Sequence, residues 1–161
     1  MNTEGTMTRR FLPLCLLLCV MLVAISHAQQ FRLTVASSIA GSAGQFKSSL
    51  FVFRTEGCAD PAAVRVTAHG EGLVNGVRRT VVIEPAPLAQ PGAYAVGNQW
   101  LAPGTWVVNL TANCKEMTAG AIVPIGPQGF LRDPSKFFPR QATPAEIDEA
   151  LKTLLATGGQ R

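Results

Sequence analysis

Apolar and polar residues alternate along most of the chain after residue 30, a pattern typical of half-buried β-strands. The clearest example spans residues 105–114, where every second residue is apolar: Trp106, Val108, Leu110, Ala112 and Cys114. Because alternate side chains of a strand point to the same face, we expect this row to face the core. The odd-numbered side chains, which include the glycosylation sequon Asn109-Leu110-Thr111, are expected to face solvent.

Alternation and short apolar runs predict further strands at residues 31–35, 50–53, 64–69, 77–84, 94–96 and 119–125. Between two of them, Asn75-Gly76 favours a type I′ hairpin, because both residues tolerate a positive φ. Pro124 cannot donate to a sheet ladder, so we expect residues 119–125 at a sheet edge. Seven short strands separated by turn residues predict a mainly β, immunoglobulin-like two-sheet antiparallel sandwich over residues 29–125, with a small barrel as the alternative.

The character of the chain changes after Gly126. Residues 126–142 contain three prolines and are expected to form a linker that exposes Phe130, Leu131, Phe137 and Phe138. Residues 143–157 then predict one helix, with Thr143 as its N-cap, Pro144 in its first position and Glu146 completing a capping box.

This C-terminal helix is amphipathic, and its apolar stripe consists of Ile147, Leu151, Leu154 and Leu155. A helix of this length is marginal alone in water, so the stripe must pack against something. In one interpretation it covers the domain's own sheet. In the other, the stripe and the three phenylalanines of the linker dock onto a partner, another protein of the cell envelope.

The first 28 residues have the composition of a secretion signal. Arg9 and Arg10 precede the apolar stretch 11–25, and Ser26-His27-Ala28 supplies the small residues read by a signal peptidase. We expect cleavage after Ala28 and a periplasmic or secreted product. A retained membrane anchor is the alternative, although the stretch is short for a bilayer span; membrane contact would then run only through the uncleaved signal.

Two of the four cysteines leave with that signal, and Cys58 and Cys114 remain. In an exported domain such a pair predicts one disulfide, which would stabilise the fold by about 4 kcal/mol on the chain-entropy model. A pair of metal-binding thiolates is the alternative.

One segment resembles the closing strands of the YtkA-like group, small immunoglobulin-like domains of the bacterial envelope. The shared pattern is Pro-Gly-x-Tyr-x-Val from Pro91, followed by Pro-Gly-x-Trp-x-Val from Pro103. The resemblance implies the sandwich fold and, for some members, copper handling or oxidase assembly. Its metal-handling members carry methionines and histidines, whereas Met117 and His69 are the only ones here after residue 28.

The remaining chemistry favours binding over catalysis. Lys and Arg exceed Asp and Glu by four in the whole chain without clustering, so no nucleic acid is expected as a partner. His69 is the one imidazole left to activate a nucleophile, and no Gly-x-Ser-x-Gly turn accompanies it. Trp100 precedes a turn and is a candidate ligand-stacking residue.

We therefore expect an exported, non-catalytic binding domain of the cell envelope, without metal or other cofactor. The first alternative is a periplasmic copper-handling or oxidase-assembly accessory domain. The second is a small secreted hydrolase.

Overall fold

The computed structural model describes residues 30–37 and 49–158, so the expected signal segment 1–28 lies outside the described residues. The described part contains ten strands, one short 3₁₀ helix at Pro61–Ala63 and one α-helix, α1, at Pro144–Gly158. The strands are β1 (Arg32–Ala36), β2 (Ser49–Glu56), β3 (Arg65–Val74), β4 (Val77–Ile83), β5 (Ala86–Pro87), β6 (Ala93–Gly97), β7 (Thr105–Cys114), β8 (Met117–Gly126), β9 (Gly129–Phe130) and β10 (Lys136–Phe138). Within these residues, no helix has the length and apolar character needed to cross a bilayer.

The strands form two antiparallel sheets. The smaller has the order β1-β2-β6-β5, and the larger has the order β10-β8-β7-β3-β4, with β9 pairing β8 outside that path. In immunoglobulin lettering these are an A-B-E-D sheet and a G-F-C-C′ sheet, the latter extended beyond G by β9 and β10. The predicted mainly β, immunoglobulin-like sandwich is confirmed, and the sheets do not merge into a barrel.

The hairpin between β3 and β4 forms where the sequence predicts it. Asn75 and Gly76 have φ values of 51° and 77°. Both central residues of a type I′ turn need a positive φ, which matches the right-handed twist of the flanking strands. The pairing continues without a bulge from Val74 opposite Val77 to Ala68 opposite Ile83.

The core lies between the sheets and is lined by the even-numbered row of β7. Trp106, Val108, Leu110, Ala112 and Cys114 are all buried, as predicted. They pack against Phe51 and Phe53 of β2, which are almost completely inaccessible. Removing this much aromatic and aliphatic surface from water is the main favourable contribution to such a fold.

The other face of β7 is buried as well, which corrects the expectation that its odd-numbered side chains face solvent. Helix α1 lies over β7 and β8 on the outside of the larger sheet. Val107 is fully buried, and Asn109 and Thr111 are only 7% exposed. The asparagine of the glycosylation sequon is therefore not an accessible acceptor in the folded domain.

The edge position expected for residues 119–125 is wrong. Strand β8 lies between β7 on one side and β9 and β10 on the other. The Pro124 carbonyl accepts a hydrogen bond from the Leu131 amide, 2.8 Å away, so the missing N–H of Pro124 points to that same side. The missing N–H faces the gap between β9 and β10, so no hydrogen bond between β8 and β7 is lost.

The two remaining cysteines tie the sheets together. Cys58 follows β2, Cys114 ends β7, and a disulfide joins them across 56 residues with a Cα–Cα distance of 6.0 Å. This is the B-to-F connection typical of immunoglobulin domains. The predicted disulfide is confirmed.

Candidate binding groove

The N-terminus of α1 is fixed by the predicted capping box. The Glu146 amide donates to the Thr143 hydroxyl at 3.3 Å, and the Glu146 carboxylate accepts from the Thr143 amide at 2.8 Å. Arg140 adds a two-pronged contact to the same carboxylate, with distances of 2.7 and 2.9 Å. The Arg140 hydrogen bonds, followed by that of the Thr143 amide, lower the pKa of Glu146 from 4.5 to about 2.

A second charged cluster joins the helix to the edge of the larger sheet. Arg78 of β4 contacts Asp148 of α1 and also donates to Glu71 of β3 at 3.2 and 3.3 Å. The Thr80 hydroxyl donates to Glu71 at 2.8 Å. Partial burial lowers the pKa of Arg78, but the hydrogen bonds to Asp148 and Glu71 outweigh it and leave the pKa above its ordinary value. These contacts fix the position of α1 on the sheet.

The apolar stripe of the helix packs mainly on the chain's own sheet. Ile147 and Leu151 are buried in one cluster with Val107 and Ile122. Of the remaining stripe residues, Leu154 is half-buried and Leu155 is 46% exposed. The interpretation in which the stripe covers its own domain describes Ile147 and Leu151, whereas Leu154 and Leu155 retain surface that another molecule can touch.

The three phenylalanines of the predicted linker lie in different surroundings. Phe130 forms β9 and packs against the sandwich core, with its ring centroid 5.7 Å from that of Phe51. Phe138 packs beside the helix cluster, and the Arg140 guanidinium lies 5.1 Å from its ring centroid. Phe137 is 50% exposed. Residues 126–142 are therefore part of the larger sheet as well as a connection, and only Phe137 stays open.

Trp100 does not present the open stacking face expected of it. Its ring is half-buried and meets Trp106 edge-on at a centroid distance of 5.4 Å, while its indole N–H donates to the Gly97 carbonyl at 2.7 Å. A Cβ on Gly70 would lie only 2.7 Å from this ring. The tryptophan therefore packs over the strand glycine, which corrects its assignment as an exposed ligand-stacking residue.

An apolar groove opens between the C-terminal half of α1 and the segment that carries β9 and β10. One hollow of about 570 Å³ has Pro124 of β8 in its floor. The helix side of this hollow is formed by Ala150, Thr153, Leu154 and Thr157. Opposite the helix, it is bounded by Phe130, Leu131, Arg132, Asp133, Pro134 and Lys136. A half-buried leucine from each wall, Leu131 and Leu154, gives the hollow its apolar character.

A second hollow continues the groove past the C-terminal end of α1. It has a volume of about 620 Å³ and shares Leu131, Leu154 and Thr157 with the first. Its far side is formed by the loop 101–105 and by Ile125 and Pro127. The two hollows together make one elongated depression, with the two leucines at the point where they meet.

The wall opposite the helix is held in place by its own hydrogen bonds. The Leu131 amide donates to Pro124, the Ser135 hydroxyl donates to the Leu131 carbonyl at 2.7 Å, and the Ser135 amide donates to Arg132 at 3.1 Å. Gly126 lies directly under Leu131, since a Cβ there would come within 2.8 Å of the leucine side chain. The groove is therefore formed by hydrogen-bonded backbone on both sides, and its outer rim carries two basic residues, Arg132 and Lys136, and one acidic residue, Asp133.

A buried polar side chain, that of Asn109, lies beneath α1 and outside the groove. Asn109 pairs with His69 across β7 and β3, and its Oδ1 atom has no hydrogen-bond partner although it is buried. His69 itself is half-buried. No three His, Cys, Asp or Glu side chains among residues 30–37 and 49–158 are grouped so that they could hold a metal ion. Met117 lies at the start of β8 and is 40% exposed.

The sequence contains only part of the signal for this groove. The helical periodicity predicts Leu154 as part of the apolar stripe, and Leu131 is among the apolar residues expected to be exposed in the linker, whereas nothing in the sequence indicates Pro124 as a lining residue. An apolar leucine between Pro127 and Pro134 was the available clue. That it faces the helix depends on how β9 pairs with β8, which the sequence pattern does not reveal.

Comparison of the chain with protein-family models, with curated proteins and with solved structures finds no match.

Proposed function

We propose that this chain is an exported, non-catalytic binding domain of the bacterial cell envelope, which holds an apolar segment of another envelope protein in the groove beside α1. The observation that carries the proposal is the apolar hollow of about 570 Å³ between the helix and residues 130–136. Concave apolar surface with a polar rim is the usual form of a peptide-binding site.

The helix contributes to this function as a fixed wall. Because Ile147 and Leu151 are buried against the sheet, and Arg78 and Arg140 contact acidic residues of α1, the groove is largely preformed. A preformed site loses little conformational entropy on binding, which favours affinity. The partner segment would place apolar side chains on Leu131 and Leu154 and an acidic residue near Arg132 or Lys136.

The proposed compartment is supported by two independent features. The apolar stretch before Ala28 has the composition of a cleaved signal, and the disulfide between Cys58 and Cys114 is of a kind that persists in oxidising compartments. N-terminal sequencing of the exported protein is expected to begin at Gln29.

The binding proposal is tested by site-specific photo-crosslinking in the envelope of the source cells. Thr153 is exposed and lines the groove, whereas its neighbour Lys152 is exposed and does not. With the photoreactive residue p-benzoylphenylalanine at position 153, we expect one dominant adduct whose crosslink maps to an apolar segment of an envelope protein. The same residue at position 152 is the matched control and should yield no such adduct.

A second variant tests whether the adduct from position 153 depends on binding in the groove. Leu131→Lys places a charge in the wall where the two hollows meet, on a half-buried side chain whose loss should leave the sandwich core folded. We expect it to abolish the adduct from position 153. Equal crosslinking from positions 152 and 153, or an adduct that survives Leu131→Lys, would refute the proposal.

A further inference from the structure

The larger sheet ends in a strand whose outer edge has no partner among the described residues. Strand β4 pairs only with β3, and its seven residues are continuous, without a bulge. Val77 and Val82 on this strand are 55% and 72% exposed. A regular edge of this kind is a template for strand addition, which natural proteins usually block.

The hairpin determines which backbone groups of β4 are available. The two-residue turn closes on the Val74–Val77 pair, and hydrogen-bonded and non-hydrogen-bonded pairs alternate from there. The odd-numbered residues of β4 therefore bond to β3. The even-numbered residues Arg78, Thr80 and Val82 direct their N–H and C=O groups away from the sheet.

We propose that this edge pairs with the same edge of a second copy of the chain, in an antiparallel ladder centred on Val81. In this register Arg78 lies opposite Glu84 of the second copy, and Thr80 lies opposite Val82. The backbone pairs of this ladder are Thr80 with Val82 and Val82 with Thr80, and Pro85 lies outside β4.

The charged residues in and next to β4 favour this register over registers shifted along the strand. Shifting one strand by two residues relative to the other would place Arg78 opposite Val82 in one direction and opposite Ala86 in the other, so the contact between Arg78 and Glu84 would be lost in both. In the Val81 register, Glu84, which is exposed and forms no ion pair within the described part of the chain, meets Arg78 twice by symmetry. Three of the five N–H groups of Arg78 donate hydrogen bonds to Glu71 and Asp148, so two remain to donate to Glu84 of the second copy.

Such a ladder joins the two larger sheets into one continuous sheet with both α1 helices on the same face. Its interface is small, so we expect a weak dimer that depends on protein concentration. The first hollow beside α1 is lined by Pro124 of β8, by α1 and by residues 130–136, toward the opposite edge of the sheet from β4, and stays open in both states. The dimer is therefore independent of the proposed partner binding.

The first test is sedimentation equilibrium of the purified, disulfide-bonded protein between about 10 µM and 1 mM. We expect the wild type to dimerise and Glu84→Arg to raise the dissociation constant about tenfold or more, because two favourable pairs become two repulsive ones. Glu116→Arg is the matched control: it makes the same charge change at an exposed residue between β7 and β8 and should dimerise like the wild type.

The second test determines the register by disulfide crosslinking between the two copies. Val81→Cys places two cysteines directly opposite each other, at a distance that suits a disulfide, and should form a covalent dimer under mild oxidation. Thr80→Cys lies opposite Val82 in the proposed register and should not. A wild type that stays monomeric up to 1 mM overturns the proposal. So does crosslinking through Cys at position 80 in place of position 81, or a Glu84→Arg protein that dimerises unchanged.

Discussion

Two glycines in the middle of β3 are required by the tryptophans that lie over them. Gly72 pairs with Trp106 across the sheet, and a Cβ on Gly72 would overlap the indole ring of this fully buried residue. Gly70 pairs with Val108, and a Cβ on Gly70 would lie 2.7 Å from the ring of Trp100, which belongs to the loop before β7. The sequence Gly70-Glu71-Gly72, which superficially resembles a phosphate-binding loop, is therefore explained by packing inside a strand.

Gly72→Ala is expected to lower the free energy of unfolding by about 2–3 kcal/mol, because the Trp106 ring has no free space to move into. Gly76→Ala is the control for backbone effects: the new Cβ would meet no atom within 4 Å, but the residue has a φ of 77°. It should cost about 1 kcal/mol. Urea denaturation of both variants measures the difference, and equal losses would contradict the packing explanation.

The unpartnered Oδ1 atom of Asn109 carries a cost that a nonpolar side chain of similar shape would avoid. We expect Asn109→Leu to raise the free energy of unfolding by about 1 kcal/mol, since a buried carbonyl without a hydrogen bond is removed. Asn113→Leu, at an exposed position of the same strand, should change stability by less than about 0.5 kcal/mol. A clear destabilisation by Asn109→Leu in thermal melts would show that its polar atoms are needed.

Features that depend only on residues close together in the sequence could be predicted. The Asn75-Gly76 turn and the Thr143–Glu146 capping box depend on neighbouring backbone alone, and both are present. The placement of Pro124 and the burial of Asn109 could not be predicted. Each depends on which element covers β8 or β7 in space.

Among the elements, α1 combines local and long-range determinants. Its start and end follow from capping residues and periodicity, and the structure places it at Pro144–Gly158, within one residue of the predicted bounds. Its position on the outside of the larger sheet follows from Val107 and Ile122, whose side chains point away from the sandwich core. The alternating pattern of β7 alone suggested a solvated face there.

The acid response of α1 follows from Glu146. Its folded pKa of about 2 lies below the ordinary 4.5, so its contribution to stability is fully present above pH 4.5 and is lost as the pH falls from there toward 2. We expect the N-terminal turn of α1 to loosen over this window in the wild type. Glu146→Gln should lose that part of the acid dependence while the rest of the titration remains.

NMR amide exchange of residues 145–148, followed from pH 6 to pH 2, measures this response. Glu149→Gln is the matched control, because Glu149 is exposed on the same helix and makes no side-chain ion pair within residues 49–158. Identical acid profiles for the wild type and Glu146→Gln would contradict the assigned role of Glu146.

At the scale of the whole molecule, the disulfide is a covalent crosslink between the two sheets. Replacing both Cys58 and Cys114 by Ala is expected to lower the free energy of unfolding by about 4 kcal/mol, mainly because the unfolded chain regains the freedom that the crosslink removes. Urea denaturation with and without a reductant should show the same loss in the wild type. A reduced protein as stable as the oxidised one would exclude a structural role for the bond.

The overall architecture was predictable because strand alternation, turn residues and cysteine pairing all favour the same sandwich. The groove was less predictable, since its walls come from segments 20 residues or more apart along the chain, such as Leu131 and Leu154. Local pattern identifies the apolar members of each segment. It does not reveal that one segment forms a strand beside β8 and thereby faces the helix.

The central claim is that α1 belongs to the domain and forms a fixed wall of the groove. Hydrogen–deuterium exchange of the purified, disulfide-bonded protein at neutral pH tests it most directly. We predict that amides in the middle of α1, around Leu151, are protected together with those of β7 and exchange only on opening of the whole domain. Rapid exchange throughout α1 while β7 stays protected would mean that the helix is detached from the sheet, and the groove would then lose one of its walls.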